Sequence, residues 1–203
     1  GADAVKLLLY YHPDAETAED QERLLIEVAE ACADDDIPLF LETLGFAIDD
    51  PGGKLQGAAR RDIVARSARR LTALGGDVLK CEFPYDPSVT DRSAWAEACA
   101  ELEEATSIPW VILSAGVDDE TFEAQTEVAC RAGASGVLVG RSVWKESVGM
   151  DGEERTAWLE TEGVARMQRL VDIVEAEGVP WRERSPLAEQ PDPVEDWYLD
   201  YPE

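Results

Sequence analysis

The sequence predicts an α/β protein built on a parallel sheet, and three observations point there. Apolar runs of strand length alternate with longer amphipathic stretches. Glycines close several of those stretches, as helix ends require. Polar residues interrupt the apolar runs at intervals of about one βα unit. A length of 203 residues fits one domain with a sizeable core, or the low end of a single α/β barrel.

The strand candidates are Ala4 to Tyr11 (AVKLLLYY), Ile37 to Leu44 (IPLFLETL), Asp77 to Phe83 (DVLKCEF), Pro109 to Leu113 (PWVIL) and Gly136 to Val139 (GVLV). Between them, Ala18 to Asp34 places Leu24, Leu25, Val28 and Cys32 on one helical face, and Ala58 to Leu74 does the same with Ile63, Val64 and Leu71. Ser93 to Ala105 and Asp118 to Ala132 complete the helical set, with Asp118 of the D-D-E-T run as an N-cap followed by acids in the first turn. Gly75-Gly76, Gly133 and Gly178 stand where helices should end. This makes five βα units. A closed (β/α)8 barrel needs about three more, and the chain opens on Gly1-Ala2-Asp3 directly before a strand, so it reads as the carboxyl-terminal part of a longer protein. Residues 1–184 form that unit. Residues 185–203 (SPLAEQPDPVEDWYLDYPE) change to proline, acid and aromatic residues and are expected to form an irregular tail packed through Trp197 and Tyr198.

Eighteen Lys and Arg stand against 44 Asp and Glu, a formal charge of −26. So negative a field repels nucleic acid and anionic bilayers, and any anionic ligand has to be held by local positive charge. No apolar run is long enough to cross a membrane. Cys32, Cys81, Cys99 and Cys130 are scattered, with no secretory h-region, which reads as reduced, buried thiols in a cytoplasmic protein. With His12 alone, a His-rich zinc site cannot be assembled.

Lys6, Glu42, Lys80, Ser114 and Arg141 follow one another at separations of 36, 38, 34 and 27 residues. This spacing places all five near the carboxyl ends of successive strands, on one rim of the sheet, where α/β barrels build their active sites. Alternation in DVLKCEF puts Val78, Lys80 and Glu82 on one face. If that face is a barrel interior, desolvation and the nearby Lys6 cation both lower the Lys80 pKa, and a neutral amine attacks a carbonyl to give a Schiff base. The alternative for either lysine is an exposed edge residue or half of a structural ion pair. Glu42 ends a hydrophobic strand, where a raised pKa suits proton transfer near neutrality, or it serves as counter-ion to the lysines. Glu82 is a weaker candidate of the same type. Ser114, Gly116, Gly140 and Arg141, in the S-A-G-V and G-R-S-V-W runs after the last two strands, read as an anion site: glycines permit close backbone approach, a helix start offers free N–H groups, and Arg141 supplies a bidentate cation.

At these residues the sequence resembles the class I tagatose-1,6-bisphosphate aldolases and the related sulfofructose-1-phosphate aldolases. GADAVKLLLYY, IPLFLE, DVLKCEFP, LSAGV and GVLVGRSVW read as variants of that family's strand motifs, in order, over about Gly1 to Val174. The resemblance implies a (β/α)8 TIM barrel of which this chain holds the carboxyl-terminal five units, with Lys80 forming the Schiff base. It matches Lys6 and Glu42 to a supporting lysine and carboxylate, and Ser114, Gly140 and Arg141 to contacts with the anionic end of the substrate. The family's amino-terminal strands, including a D-Q-R segment whose aspartate lines the pocket, have no counterpart in this sequence. The implied reaction is metal-independent cleavage of a phosphorylated ketohexose, of the tagatose-1,6-bisphosphate type, to dihydroxyacetone phosphate and a three-carbon aldehyde, with no cofactor. Sulfofructose-1-phosphate is the alternative substrate: the opening strand looks more like the tagatose-bisphosphate enzymes, PWVILSAGVDDETF and AGASGVLVGRSVW more like the sulfosugar enzymes. A homo-oligomer is compatible with the sequence. A reading of another class is a noncatalytic phosphosugar-binding fragment, because five units leave two unpaired strand edges.

Overall fold

The computed structural model describes residues 1–50 and 53–185. Five strands, β1 (Val5–Tyr10), β2 (Leu39–Leu44), β3 (Val78–Glu82), β4 (Trp110–Leu113) and β5 (Gly136–Leu138), form one parallel sheet in sequence order. The crossovers are α1 (Ala18–Asp34), α2 (Gly57–Leu71), α3 (Arg92–Ala105) and α4 (Asp119–Ala132). Right-handed crossovers that never reverse the strand order leave every helix on the same face, which is barrel topology rather than the doubly wound kind.

Alternation along the strands separates two faces. Leu9, Leu41, Leu79, Cys81, Trp110 and Ile112 point toward the helices and are buried. They meet Leu25 and Cys32 of α1, Val64, Ala68 and Leu71 of α2, Cys99 and Leu102 of α3, and Phe122 and Ala129 of α4. Trp110, fully buried, donates its indole N–H to Glu103 at 2.6 Å, so its polar atom is satisfied. The four cysteines are buried free thiols, and burial pushes Cys81, Cys99 and Cys130 above the ordinary thiol range.

The predicted strands and the first four helices are all present, each within three residues of its expected bounds. Asp118 caps α4 by accepting from the Thr121 N–H at 2.8 Å, and Gly133 ends it at φ 124°, a conformation that favours glycine. Two details differ. Leu24 is exposed, because Leu25, Val28 and Cys32 already fill the stripe that α1 turns to the sheet. Helix α2 ends at Leu71, where the Thr72 hydroxyl bonds back to Ala68 O, so Gly75-Gly76 forms the following turn and not the helix end.

Beyond β5 the chain forms a short α5 (Arg141–Trp144), a 3-10 turn (Lys145–Gly149), α6 (Gly152–Trp158), a π turn (Leu159–Gly163), α7 (Val164–Glu177) and α8 (Trp181–Arg184). Only the end of α7 was signalled in the sequence, by Gly178. Helix α7 packs on α4 and β5. The expected tail with Trp197 and Tyr198 lies outside the described residues, apart from Ser185. Among the described residues no helix is long and apolar enough to cross a membrane.

Candidate active site

The inner face of the sheet carries Lys6, Glu42 and Lys80. Register pairs Glu42 with Lys80 across β2 and β3 and Lys6 with Phe40, so Lys6 sits one pleat nearer the strand starts. This corrects the expectation of five polar residues on one rim. Lys6 is the second residue of β1, Glu42 and Lys80 lie mid-strand, and of the five only Ser114 and Arg141 follow strand ends. The lysine side chain makes up the difference in height: Lys6 Nζ stands 2.9 Å from Glu42 Oε2, and Lys80 Nζ stands 3.2 Å from the same oxygen.

One carboxylate oxygen thus serves two ammonium groups, and the three side chains together carry a net positive charge. Glu42 is the most enclosed, with 11% of its side chain exposed against 18% for Lys80 and 52% for Lys6. Burial alone raises the Glu42 pKa. The hydrogen bonds and charges of Lys6 and Lys80 outweigh burial and hold it below its ordinary value. The expected raised pKa of Glu42 is therefore overturned: the lysines that made it a candidate also keep it ionised.

Glu82, the weaker proton-transfer candidate, has a different use. Its Oε1 stands 3.2 Å from Arg60 Nη2, and its Oε2 accepts the Gly45 N–H at 2.8 Å. Arg60 also donates to Phe83 O at 2.9 Å. With both oxygens engaged, Glu82 ties the loops after β2 and β3 together. The pair lines a cleft of about 560 Å³ with Tyr10, Leu44, Gly45 and Lys54, one pleat beyond Glu42 and Lys80 toward the carboxyl ends. A hollow of similar size, about 540 Å³, opens at the other end of the strands among Cys32, Asp36, Gly76 and Asp77 and has no cation in its lining.

The loops after β4 and β5 come together as expected. Gly116 has φ 81°, a backbone conformation that favours glycine, and a Cβ there would stand 3.5 Å from Arg141 Cζ, in ordinary contact, so the guanidinium lies against this position. Ser142 Oγ donates to Val117 O at 2.8 Å and binds the two loops directly. Ser114 is buried and Arg141 exposed; among the described residues Arg141 has no carboxylate within ion-pair distance. Helix α5 is only four residues long, so the anion site has no real helix N-terminus, and its positive charge rests on Arg141.

Sequence reading missed Arg60, Ser142 and Arg166. The first lies in a basic helical run that resembles any solvated face, and the others follow the last predicted strand, where no element had been assigned.

A parallel sheet with sequential strands, its crossover helices on one face and a lysine and carboxylate cluster on the other, defines a segment of an α/β barrel. The chain belongs to the DeoC/LacD aldolase family, whose model matches residues 1–146. It is 34% identical over 208 residues to the tagatose 1,6-diphosphate aldolase of Streptococcus agalactiae and 33% identical over 206 residues to that of Staphylococcus aureus, covering 91% of this chain and 63% of each relative. The chain therefore spans less than two thirds of these relatives. Among solved structures, a Schiff-base-forming fructose-1,6-bisphosphate aldolase aligns at TM-score 0.61 and 22% identity, over 86% of this chain and 59% of the other. The fructose-bisphosphate aldolase of Plasmodium falciparum aligns at TM-score 0.66 and 13% identity, over 88% and 59%. These likenesses place the sheet as part of an eight-stranded barrel.

Proposed function

We propose that this chain carries the Schiff-base half of a class I aldolase that cleaves a phosphorylated ketohexose to dihydroxyacetone phosphate and a three-carbon aldehyde. The carrying observation is the Glu42 oxygen shared by Lys6 and Lys80 on the inner face. The names of the relatives, tagatose 1,6-diphosphate aldolases, support a ketose bisphosphate of that type as substrate.

Lys80 Nζ adds to the C2 carbonyl, water leaves, and the resulting iminium accepts the electrons of the C3–C4 bond as it breaks and the C4 hydroxyl gives up its proton. The resting ionisation of Glu42 fits this sequence. While both lysines are ammonium groups they hold its proton off. At the carbinolamine stage the Lys80 nitrogen is neutral, one of the two cations is gone, and the proton affinity of Glu42 rises when a proton has to reach the departing C2 hydroxyl. Lys6 keeps the carboxylate oriented throughout. Arg141, with Ser114, Gly116 and Gly140, takes the phosphate.

The open inner face favours a second reading, phosphosugar binding without cleavage: Leu8, Tyr10 and Leu138 are 39%, 62% and 40% exposed there, apolar surface that a complete barrel would cover. Borohydride reduction in the presence of dihydroxyacetone phosphate separates the two. The aldolase reading expects a stable adduct on Lys80, mapped by peptide mass spectrometry. Phosphate-dependent binding with no adduct on any lysine would favour the second reading, and an adduct on Lys6 would sink the assignment of Lys80.

A further inference from the structure

We infer that Arg166 is a positioning residue for the anion site, holding the Arg141 segment in place and drawing off the carboxylates that would otherwise neutralise Arg141. The inference rests on the reading of Arg141 as the phosphate-binding cation.

The chain carries a net charge of −26, and four of its arginines, Arg69, Arg141, Arg155 and Arg182, have no carboxylate partner among the described residues; of these, Arg141 lies against Gly116 of the candidate anion site. Arg141 has no ion pair among the described residues, yet Glu146 lies five positions on and α4 begins with Asp119 and Glu120. Arg166, on α7, takes Glu146 and shares Asp119 with Arg169, whose Nη2 stands 3.2 Å from Asp119 Oδ2. Arg166 Nη1 stands 3.0 Å from Glu146 Oε2, and its Nε stands 2.9 Å from Glu162 Oε1 and 3.4 Å from Asp119 Oδ2. Its guanidinium also lies over the Trp158 ring, 5.0 Å from the centroid. One cation gathers acids from α4, from the 3-10 turn after α5 and from the π turn before α7. The π turn, a rare geometry that often marks a constrained site, brings Glu162 to the same guanidinium as Trp158.

The same side chain also fixes backbone. Arg166 Nη1 donates to Ser142 O at 3.1 Å. Ser142 is buried and its hydroxyl holds Val117 O, next to Gly116, on which Arg141 lies. Ser142 is therefore pinned at both ends, by its carbonyl to α7 and by its hydroxyl to the loop after β4, and Arg141 is its immediate neighbour. Packing at this junction, among Asp119, Phe122, Ser142, Val143, Arg166 and Leu170, leaves no room for water. Displacement of Arg166 thus releases Glu146 and removes the hydrogen bond to the Ser142 carbonyl, one residue from Arg141.

The experiment is the rate of borohydride trapping on Lys80 of the 203-residue chain, measured against dihydroxyacetone phosphate and against neutral dihydroxyacetone. Arg166→Met should raise the half-saturating phosphate-ester concentration by about tenfold or more and leave the neutral ketone nearly unaffected, because misplacement of a remote binding group is felt by the substrate that uses it. Arg166→Lys, which keeps the charge, should recover most of the loss. Ser142→Ala, a smaller change with less risk to folding, should weaken the ester alone by roughly threefold, the scale of one hydrogen bond. Equal losses for both ketones, or none for the ester in either the Arg166→Met or the Ser142→Ala chain, would overturn the inference. Arg141→Ala serves as the reference: if it leaves the ester unaffected, the reading of Arg141 itself fails, whatever the Arg166 variants do.

Discussion

Lys80 and Cys81 are neighbours in β3 and face opposite ways. Cys81 enters a closed apolar layer between sheet and helices; Lys80 enters an open face shared with Glu42 and Lys6. The same contrast holds along β2, where Leu41 is fully buried and Glu42 lies beside it with two cations. The helix-covered face is a finished core, in which each side chain has its neighbours within this chain. The inner face is held by charge, and its apolar residues, Leu8, Tyr10 and Leu138, remain uncovered. Stability and chemistry are thus assigned to alternate residues of the same strands, a separation that period-two geometry makes possible.

The sharpest test of that separation is at Lys80. Lys80→Ala should abolish the borohydride-dependent adduct altogether and leave the denaturant midpoint close to that of the parent chain. An adduct that persists at another lysine would break the comparison. The converse test is Leu41→Ala, which should cost about 2 to 5 kcal/mol of unfolding free energy by opening a cavity, whereas Leu8→Ala, on the inner face, should cost well under about 1 kcal/mol. Chemical denaturation measures both, and comparable losses would mean that the inner face is as closed as the outer.

A smaller effect is expected at the anion loops. Arg141→Ala should raise the half-saturating concentration of dihydroxyacetone phosphate about tenfold, the loss of one charged hydrogen bond at an exposed position, with little change for dihydroxyacetone. The smallest effect concerns Glu42. Because the two lysines hold its folded-state pKa below the ordinary 4.5, its ion pairs contribute fully at pH above that value, and the contribution fades as pH falls through the folded-state pKa. The stability difference between the parent chain and Glu42→Gln should therefore shrink on acidification below about pH 4.5, measured by urea unfolding across pH. A difference that grows toward acid would mean that Glu42 is not held by the lysines.

The sequence by itself was enough to determine the order and type of the elements from β1 to β5, the two faces of each strand, and the lysine and carboxylate that share the inner one. These follow from local periodicity: a strand exposes alternate residues and a helix every third or fourth, whatever surrounds them. Tertiary structure decided the rest. The intervals between Lys6, Glu42 and Lys80 were legible, but not the level at which each stands in its strand, because an apolar run does not mark where pairing begins. Glu82 looked like Glu42 until α2 brought Arg60 to it across 22 residues of sequence. The pKa of Glu42 changed direction for the same reason: burial was readable from an apolar strand and a counter-ion role was one of its two readings, but only the packed chain put both ammonium groups on one oxygen, where they outweigh burial. Of the partners of Arg166 only Glu162, four residues away, stands at a spacing that sequence shows; Asp119 and Glu146 come from other elements. Charge pairing acts through space over a few ångströms, and only the packed chain decides which charges lie that close.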